Sequence, residues 1–249
     1  MRRFYLPPSE CHGDRLLLTE REAHHAADVL RVKTGDEVSV LDGAGSELIC
    51  RVATVARKKV DLEVQRRATA PPPPCQITLV QAIPKGKILE AIIQKATELG
   101  AWRIIPLLSQ RVTTHLEGDS IEAKAEKWRQ TAIEAIKQCG QRFLPQMETP
   151  ITLPALLARH EKFDLTLVAS LREDSRHLRA YFPASAPRPK TLQIWIGPEG
   201  DFTSEELDLI QAAGALPITL GPLVLRSETA ALCALSIINH ELSAPNGLQ

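Results

Sequence analysis

The chain has 249 residues, 44% of them apolar, with 30 basic residues balanced by 30 acidic ones, which is enough to build a substantial core in one large domain or two smaller ones. The balance excludes a uniformly basic nucleic-acid binder, so any affinity for RNA must come from local clusters. Five scattered cysteines without a C-x-x-C pair exclude a disulfide framework, and the absence of an apolar leader or of 18 consecutive apolar residues gives no signal peptide or membrane span, so we expect a soluble cytoplasmic protein.

The first seventy residues read as a small β-barrel. Short β-prone runs at 37–41, 47–55 and 60–64 are separated by Gly35-Asp36, Asp42-Gly43 and the basic Arg57-Lys58-Lys59. One helix is predicted among them at 19–30: Thr19 followed by Glu22 has the form of a capping box, and Ala23, Ala26, Ala27 and Leu30 share a face. Pro71 to Pro74 donate no backbone hydrogen bonds and favour an extended chain. The expected division is therefore a barrel over 1–70, a proline linker over 71–74 and a second domain over 75–249.

After the linker the hydrophobic period changes. The continuous apolar run 77–83 suits a strand buried on both faces of a parallel sheet. A helix over 87–99 stripes Ile88, Leu89, Ile92, Ala96 and Leu99, Gly100 stops it, and a strand at 103–108 completes a βαβ unit. A longer helix follows at about 120–139. Apolar runs at 165–171, 192–196 and 218–220 then alternate with helical patterns at 204–213 and 228–242, which gives an α/β class. Thr203 with Glu206 forms a second capping box, and Ser227 is placed to cap the last helix.

Several chemistries are missing from the string: there is no G-x-x-x-x-G-K-[ST] loop, no H-E-x-x-H and no G-x-S-x-G. The first strand of the α/β part runs into Ile83-Pro84-Lys85-Gly86-Lys87 without a G-x-G-x-x-G, so a nucleotide-like ligand must bind elsewhere. Two later strand ends, Ile196-Gly197-Pro198-Glu199-Gly200 and Leu220-Gly221-Pro222, place glycine directly after apolar runs. Such turns either merely reverse the chain or let backbone approach a ligand at the carboxyl edge of the sheet. His24-His25 lacks the spaced partners of a metal site, so no metal is expected.

The stretch from Ile196 to Gly200, Leu220-Gly221 and Leu225-Arg226-Ser227-Glu228-Thr229-Ala230, together with Arg3-Phe4, His24-His25, Val29-Leu30-Arg31 and Lys95-Ala96-Thr97-Glu98-Leu99-Gly100, resembles the bacterial family that methylates N3 of a uridine in 16S ribosomal RNA, within the SPOUT methyltransferases. That resemblance implies an N-terminal PUA-like RNA-binding barrel and a C-terminal α/β domain ending in a trefoil knot. It also implies a homodimer acting on ribosomal RNA or the small ribosomal subunit.

S-adenosylmethionine would lie among the loop after Leu171, the turn 197–200 and the segment 220–228. Leu171, Ile196, Gly197, Pro198, Glu199, Gly200, Leu220, Gly221, Leu225 and Thr229 are the implied cofactor residues. Arg226 and Glu228 are the candidate catalytic residues. Arg226 stabilises charge on the uracil oxygens or grips a flanking phosphate, or else forms an ion pair with Glu228 or Glu199. Glu228 is a base, a polar anchor, or a helix-dipole partner. RNA contacts are expected from Arg2, Arg3, His25, Arg31 and Arg142, with Arg57-Lys58-Lys59 and Arg66-Arg67 adding positive charge beside the barrel. The chain departs from the family pattern at Asp201, where glycine is common, and at Gln141, where arginine is usual; Arg142 is the nearest replacement for the latter.

Overall fold

The computed structural model describes residues 1–56, 58–111, 119–183 and 187–242; Arg57 of the expected basic cluster lies outside them. The chain divides into two compact units, one of Met1–Pro72 with Ile133–Leu144 and the other of Pro73–Ala132 with Pro145–Gln249. The second part of the chain is therefore not one block: twelve residues after Ala132 are grouped with the N-terminal unit.

In the first unit, β1 (Arg2–Tyr5), β2 (Arg15–Thr19), β3 (Glu37–Leu41), β4 (Ser46–Ala56) and β5 (Lys59–Thr69) form a sheet in the order β1-β3-β4-β5-β2. Only β1 and β3 run parallel. Strands β4 and β5 are eleven residues each, and register shifts at Ile49/Cys50 and Val52/Thr54 bend them as β-bulges do. Bending lets all five strands contribute to one core of Phe4, Leu16, Leu18, Val38, Val40, Leu48, Val52, Val60 and Leu62. Among the described residues the ladder ends at β1 and β2, so the barrel expected from the sequence is an open one.

The helix expected over 19–30 forms in two parts. Helix α1 (Glu20–His24) passes into a π-helical turn at His25–Val29, and Ala23 and Ala26 enter the barrel core. The expected capping box is absent: Thr19 makes no side-chain cap, and Glu22 Oε2 instead accepts the Tyr5 N–H at 3.1 Å. A strand edge with an open amide is the better partner for that carboxylate.

The second unit is built on an all-parallel sheet. Its elements are β6 (Gln76–Ala82), α2 (Ile88–Glu98), β7 (Arg103–Leu108), α3 (Asp119–Cys139, shared between the units), β8 (Gln146–Met147), β9 (Ile151–Thr152), α4 (Leu153–Leu157), β10 (Leu165–Ala169), β11 (Arg176–His177), β12 (Thr191–Ile196), α5 (Ser204–Ala212), β13 (Leu216–Thr219) and α6 (Ser227–Leu242). Strand order is β11-β13-β10-β12-β6-β7-β8, with β9 also on β7.

Strand alternation sends Val80 and Ala82 of β6 into one core with Leu153, Trp195, Phe202, Leu207 and Ile210. Ile77, Leu79 and Gln81 point the other way, toward the side where α6 packs on α2 and β12. A strand buried on both faces has no polar alternation, which is why its run in the sequence is continuous.

Candidate cofactor cleft

Strands β13, β10 and β12 are neighbours and parallel, so their carboxyl ends emerge on one edge of the sheet. Three segments leave that edge: Ala169 to Leu171, Ile196 to Asp201, and Ile218 to Leu225. Together with Ser227 and Ala230 at the start of α6 they line one cleft of about 570 Å³, open mouth included. This is the crevice beyond the strand ends where open parallel sheets collect ligands.

Of the residues implied for the cofactor, Leu171, Ile196, Gly197, Pro198, Glu199, Leu220, Gly221 and Leu225 line this cleft; Gly200 and Thr229 do not, and neither do Arg226 and Glu228. Leu171 lines it without being buried. It is 64% exposed and sits at the mouth with Leu223 and Val224, exposed at 75% and 76%.

Hydrogen bonds hold the three segments together. Ser227 Oγ donates to the Gly197 carbonyl at 2.6 Å and accepts from Gln81 Nε2 at 2.9 Å, so α6, the turn after β12 and the end of β6 are joined through one hydroxyl. Ser227 is thus the first residue of α6 and a tie between loops, not the side-chain cap the sequence suggested. Glu199 Oε1 accepts the Lys85 N–H at 2.9 Å, fixing the turn to the loop after β6. The Thr203–Glu206 capping box is present as expected and orients α5, while Glu206 Oε1 also accepts the Gln110 N–H at 2.8 Å.

Glycine is required here for two different reasons. A side chain at Gly197 would meet Asp201 Oδ1 at 2.8 Å and the Phe202 nitrogen at 3.1 Å, so the close approach is made by the turn itself. Gly221 has φ +136°, a conformation L side chains rarely adopt, with open space around it.

Asp201 also sits at positive φ, +58°, which explains why glycine suits this position and why Asp can stand in for it. Its Oδ1 accepts the Phe202 N–H at 2.8 Å. Burial pushes its carboxyl pKa up, against the N–H groups of Phe202 and Leu171 and the more distant charges of Arg111 and Arg172.

The candidate catalytic pair differs in setting. Arg226 is exposed, and among the described residues it makes no ion pair with Glu199 or Glu228. Glu228 is half-buried, and its Oε2 is shielded from solvent without a hydrogen-bond partner.

The residues expected to hold RNA are largely engaged within their own unit. Arg2 pairs with Asp36 at 2.6 Å, and Arg3 donates to the carbonyls of Lys137 and Gln138. Arg142 pairs with Glu47 at 2.7 Å, and Gln141 turns its Oε1 to the Phe143 N–H at 3.3 Å. His25 lies edge-on to Phe4 with ring centroids 6.2 Å apart, and Arg31 is exposed. His24 pairs with Asp28, and no group of three or more His, Cys, Asp or Glu residues able to hold a metal occurs among the described residues. No helix among them is long and apolar enough to cross a membrane.

Sequence reasoning missed Gln81 as a tie and Ala169, Ser170, Ile218, Thr219 and Ala230 as cleft wall. Ile218 and Thr219 had the signal of lying just before the second Gly-Pro turn; Gln81, Ala169 and Ser170 stood at strand ends with no turn residue beside them.

Comparison with known proteins agrees with this geometry. The RNA methyltransferase domain model matches residues 71–239, and the RNA methyltransferase PUA domain model matches residues 18–65. A ribosomal RNA small subunit methyltransferase E of Bacillus subtilis is 32% identical over 236 residues, 93% of this chain and 92% of that protein. A Legionella pneumophila protein solved in complex with the bound cofactor SAM superposes with a TM-score of 0.87 at 32% identity, over 96% of this chain and 97% of that one. A ribosomal RNA small subunit methyltransferase E from Neisseria gonorrhoeae, bound to S-adenosyl methionine, gives 0.84 at 26% identity over 96% and 97%. By a model spanning more than half its length and by likeness along nearly all of it, the chain belongs to the RNA methyltransferase domain family and, within it, to the ribosomal RNA small subunit methyltransferases E.

Proposed function

We propose that this protein transfers the methyl group of S-adenosylmethionine to N3 of one uridine in 16S ribosomal RNA. The observation that carries the reading is the convergence of the segments after β10, β12 and β13 into a single cleft. The residues present fit the cofactor. Ile196, Ile218, Leu225 and Ala230 supply apolar wall; residues 220–226 lie in no helix or strand, and while Gly221 is tied to Thr219 and the Arg226 carbonyl to the Ala230 N–H, the peptide groups of Leu223 to Leu225 are available to the edge of an adenine. We assign Ile196 to Gly200, Leu220, Gly221 and Leu225 to holding it, with Leu171 and Thr229 at the margin. Bound there, it supplies an electrophilic methyl on positively charged sulfur.

The remaining chemistry belongs to the chain. Uridine N3 becomes a nucleophile only after losing its imide proton, so the site needs a proton acceptor and a counter-charge for the uracil oxygens. Glu228, with one carboxylate oxygen shielded and unpartnered, is suited to take that proton or to grip the base. Arg226 is suited to stabilise the negative charge or to hold a flanking phosphate. Fixing both reactants in register supplies about 7–11 kcal/mol, without a covalent nucleophile.

In the same reading the C-terminal region is a SPOUT trefoil knot, the domains divide near Pro71 to Pro74, and the enzyme works in the cytoplasm as a homodimer. A second copy would cover the exposed Leu171, Leu223 and Val224. RNA is gathered by His25, Arg31, Lys58, Lys59 and Arg66; Arg2, Arg3 and Arg142 shape that surface through their bonds within the unit.

Arg226→Ala is expected to leave the melting temperature unchanged and to slow single-turnover methylation about 100- to 1,000-fold; an unchanged rate removes the role. Mapping methylated uridines in ribosomal RNA from a deletion strain, with and without the restored gene, tests the reaction itself. One N3-methyluridine should vanish and return, and an identical map in both strains would refute it.

A further inference from the structure

The carboxylate of Asp201 lines the cleft half-buried, on a backbone held at φ +58°. The guanidiniums whose charge reaches it are occupied elsewhere: Arg111 donates to the Gly200 carbonyl, and Arg172 pairs with Asp208 at 2.6 Å while donating to the Ser204 carbonyl. A half-buried carboxylate in the lining of an open cleft, reached by these charges only at a distance and in no direct ion pair, is costly in the free protein, and the cost falls when a ligand brings positive charge closer. The carboxylate faces the N–H groups of Phe202 and Leu171, which are dipoles without net charge and leave its negative charge unneutralised, while the backbone conformation alone is one that glycine adopts more readily.

We propose that Asp201 recognises a cationic group of the bound methyl donor, its sulfonium or its α-ammonium, and is a determinant of donor affinity. This rests on the reading of the cleft as the S-adenosylmethionine site. Such a contact is a charge-assisted hydrogen bond or close ion pairing in a sheltered place, where it is strongest.

The test is calorimetric titration of the full-length protein with S-adenosylmethionine and with S-adenosylhomocysteine, which keeps the ammonium and lacks the sulfonium charge. Wild type is compared with Asp201→Asn, which keeps the shape, and Asp201→Gly, which keeps the backbone conformation; thermal melts confirm that each is folded. Both variants should bind S-adenosylmethionine about tenfold more weakly. A parallel loss for S-adenosylhomocysteine assigns the ammonium, and no loss for it assigns the sulfonium; either supports the proposal. Wild-type affinity in Asp201→Asn overturns it, whether or not Asp201→Gly is weakened, because charge is then not what the site reads. No S-adenosylmethionine binding by wild type would instead overturn the cleft assignment, and this proposal with it.

Discussion

Ser227 carries two hydrogen bonds of unequal consequence. Its hydroxyl satisfies the Gly197 carbonyl and receives the amide of Gln81, a residue that is fully buried. Ser227→Ala leaves both partners short inside the protein, at a cost of about 1–3 kcal/mol. Urea denaturation should show that loss, and donor affinity should fall with it because the turn after β12 is no longer tied to α6. A variant as stable and as tight-binding as wild type would show that the tie is redundant.

Asp201 makes a pH prediction of definite sign. Burial raises its pKa in the folded state, so between the unfolded and folded values the folded protein holds more protons than the unfolded chain. Stability therefore falls as pH rises through that window. Asp201→Asn should melt higher than wild type at neutral pH, with the difference closing below about pH 4, where the carboxylate is protonated in both states. A constant difference at all pH values would contradict this.

The glycines and prolines of this site were visible in the sequence because turns need special residues. Gln81, the tie made by Ser227 and the burial of Asp201 were not, because an ordinary polar side chain acquires its role only from what the fold brings opposite it.

Among the elements, α5 offers the cleanest single test. Thr203 accepts the Glu206 N–H at 3.2 Å, and Glu206 Oε2 accepts the Thr203 N–H at 3.0 Å. Thr203→Ala should cost about 1 kcal/mol, read from the unfolding midpoint, without loss of donor binding, since Glu206 still anchors the Gln110 amide.

This box was legible because the whole device lies within four residues. The similar spacing of Thr19 and Glu22 misled, because Tyr5, seventeen residues from Glu22, competes for the same carboxylate. Strands β6, β7, β10 and β12 were legible from continuous apolar runs. Strands β1 and β2 were not: the run from Leu16 to Leu18 masks an alternation in which Leu17 is 38% exposed, and β1 has two arginines and only two buried residues. β5 extends to Thr69, five residues beyond its apolar run, because pairing with a long β4 carries it on.

At the scale of the molecule, the α/β class followed from alternating patterns, whereas the strand order that makes the cleft did not. β13, β10 and β12 are adjacent although other elements separate them along the chain, and crossovers of that kind leave no local signal. The expectation that their loops meet came from family resemblance, and the structure supplies the physical reason: three parallel neighbours end on one edge. The most direct test is a crystal structure of the protein grown with S-adenosylmethionine. The account predicts donor density between Ile196 to Asp201 and Ile218 to Leu225, with Asp201 facing a positive group. Density at any other place in the chain, or turns standing apart around an empty cleft at saturating donor, would contradict it.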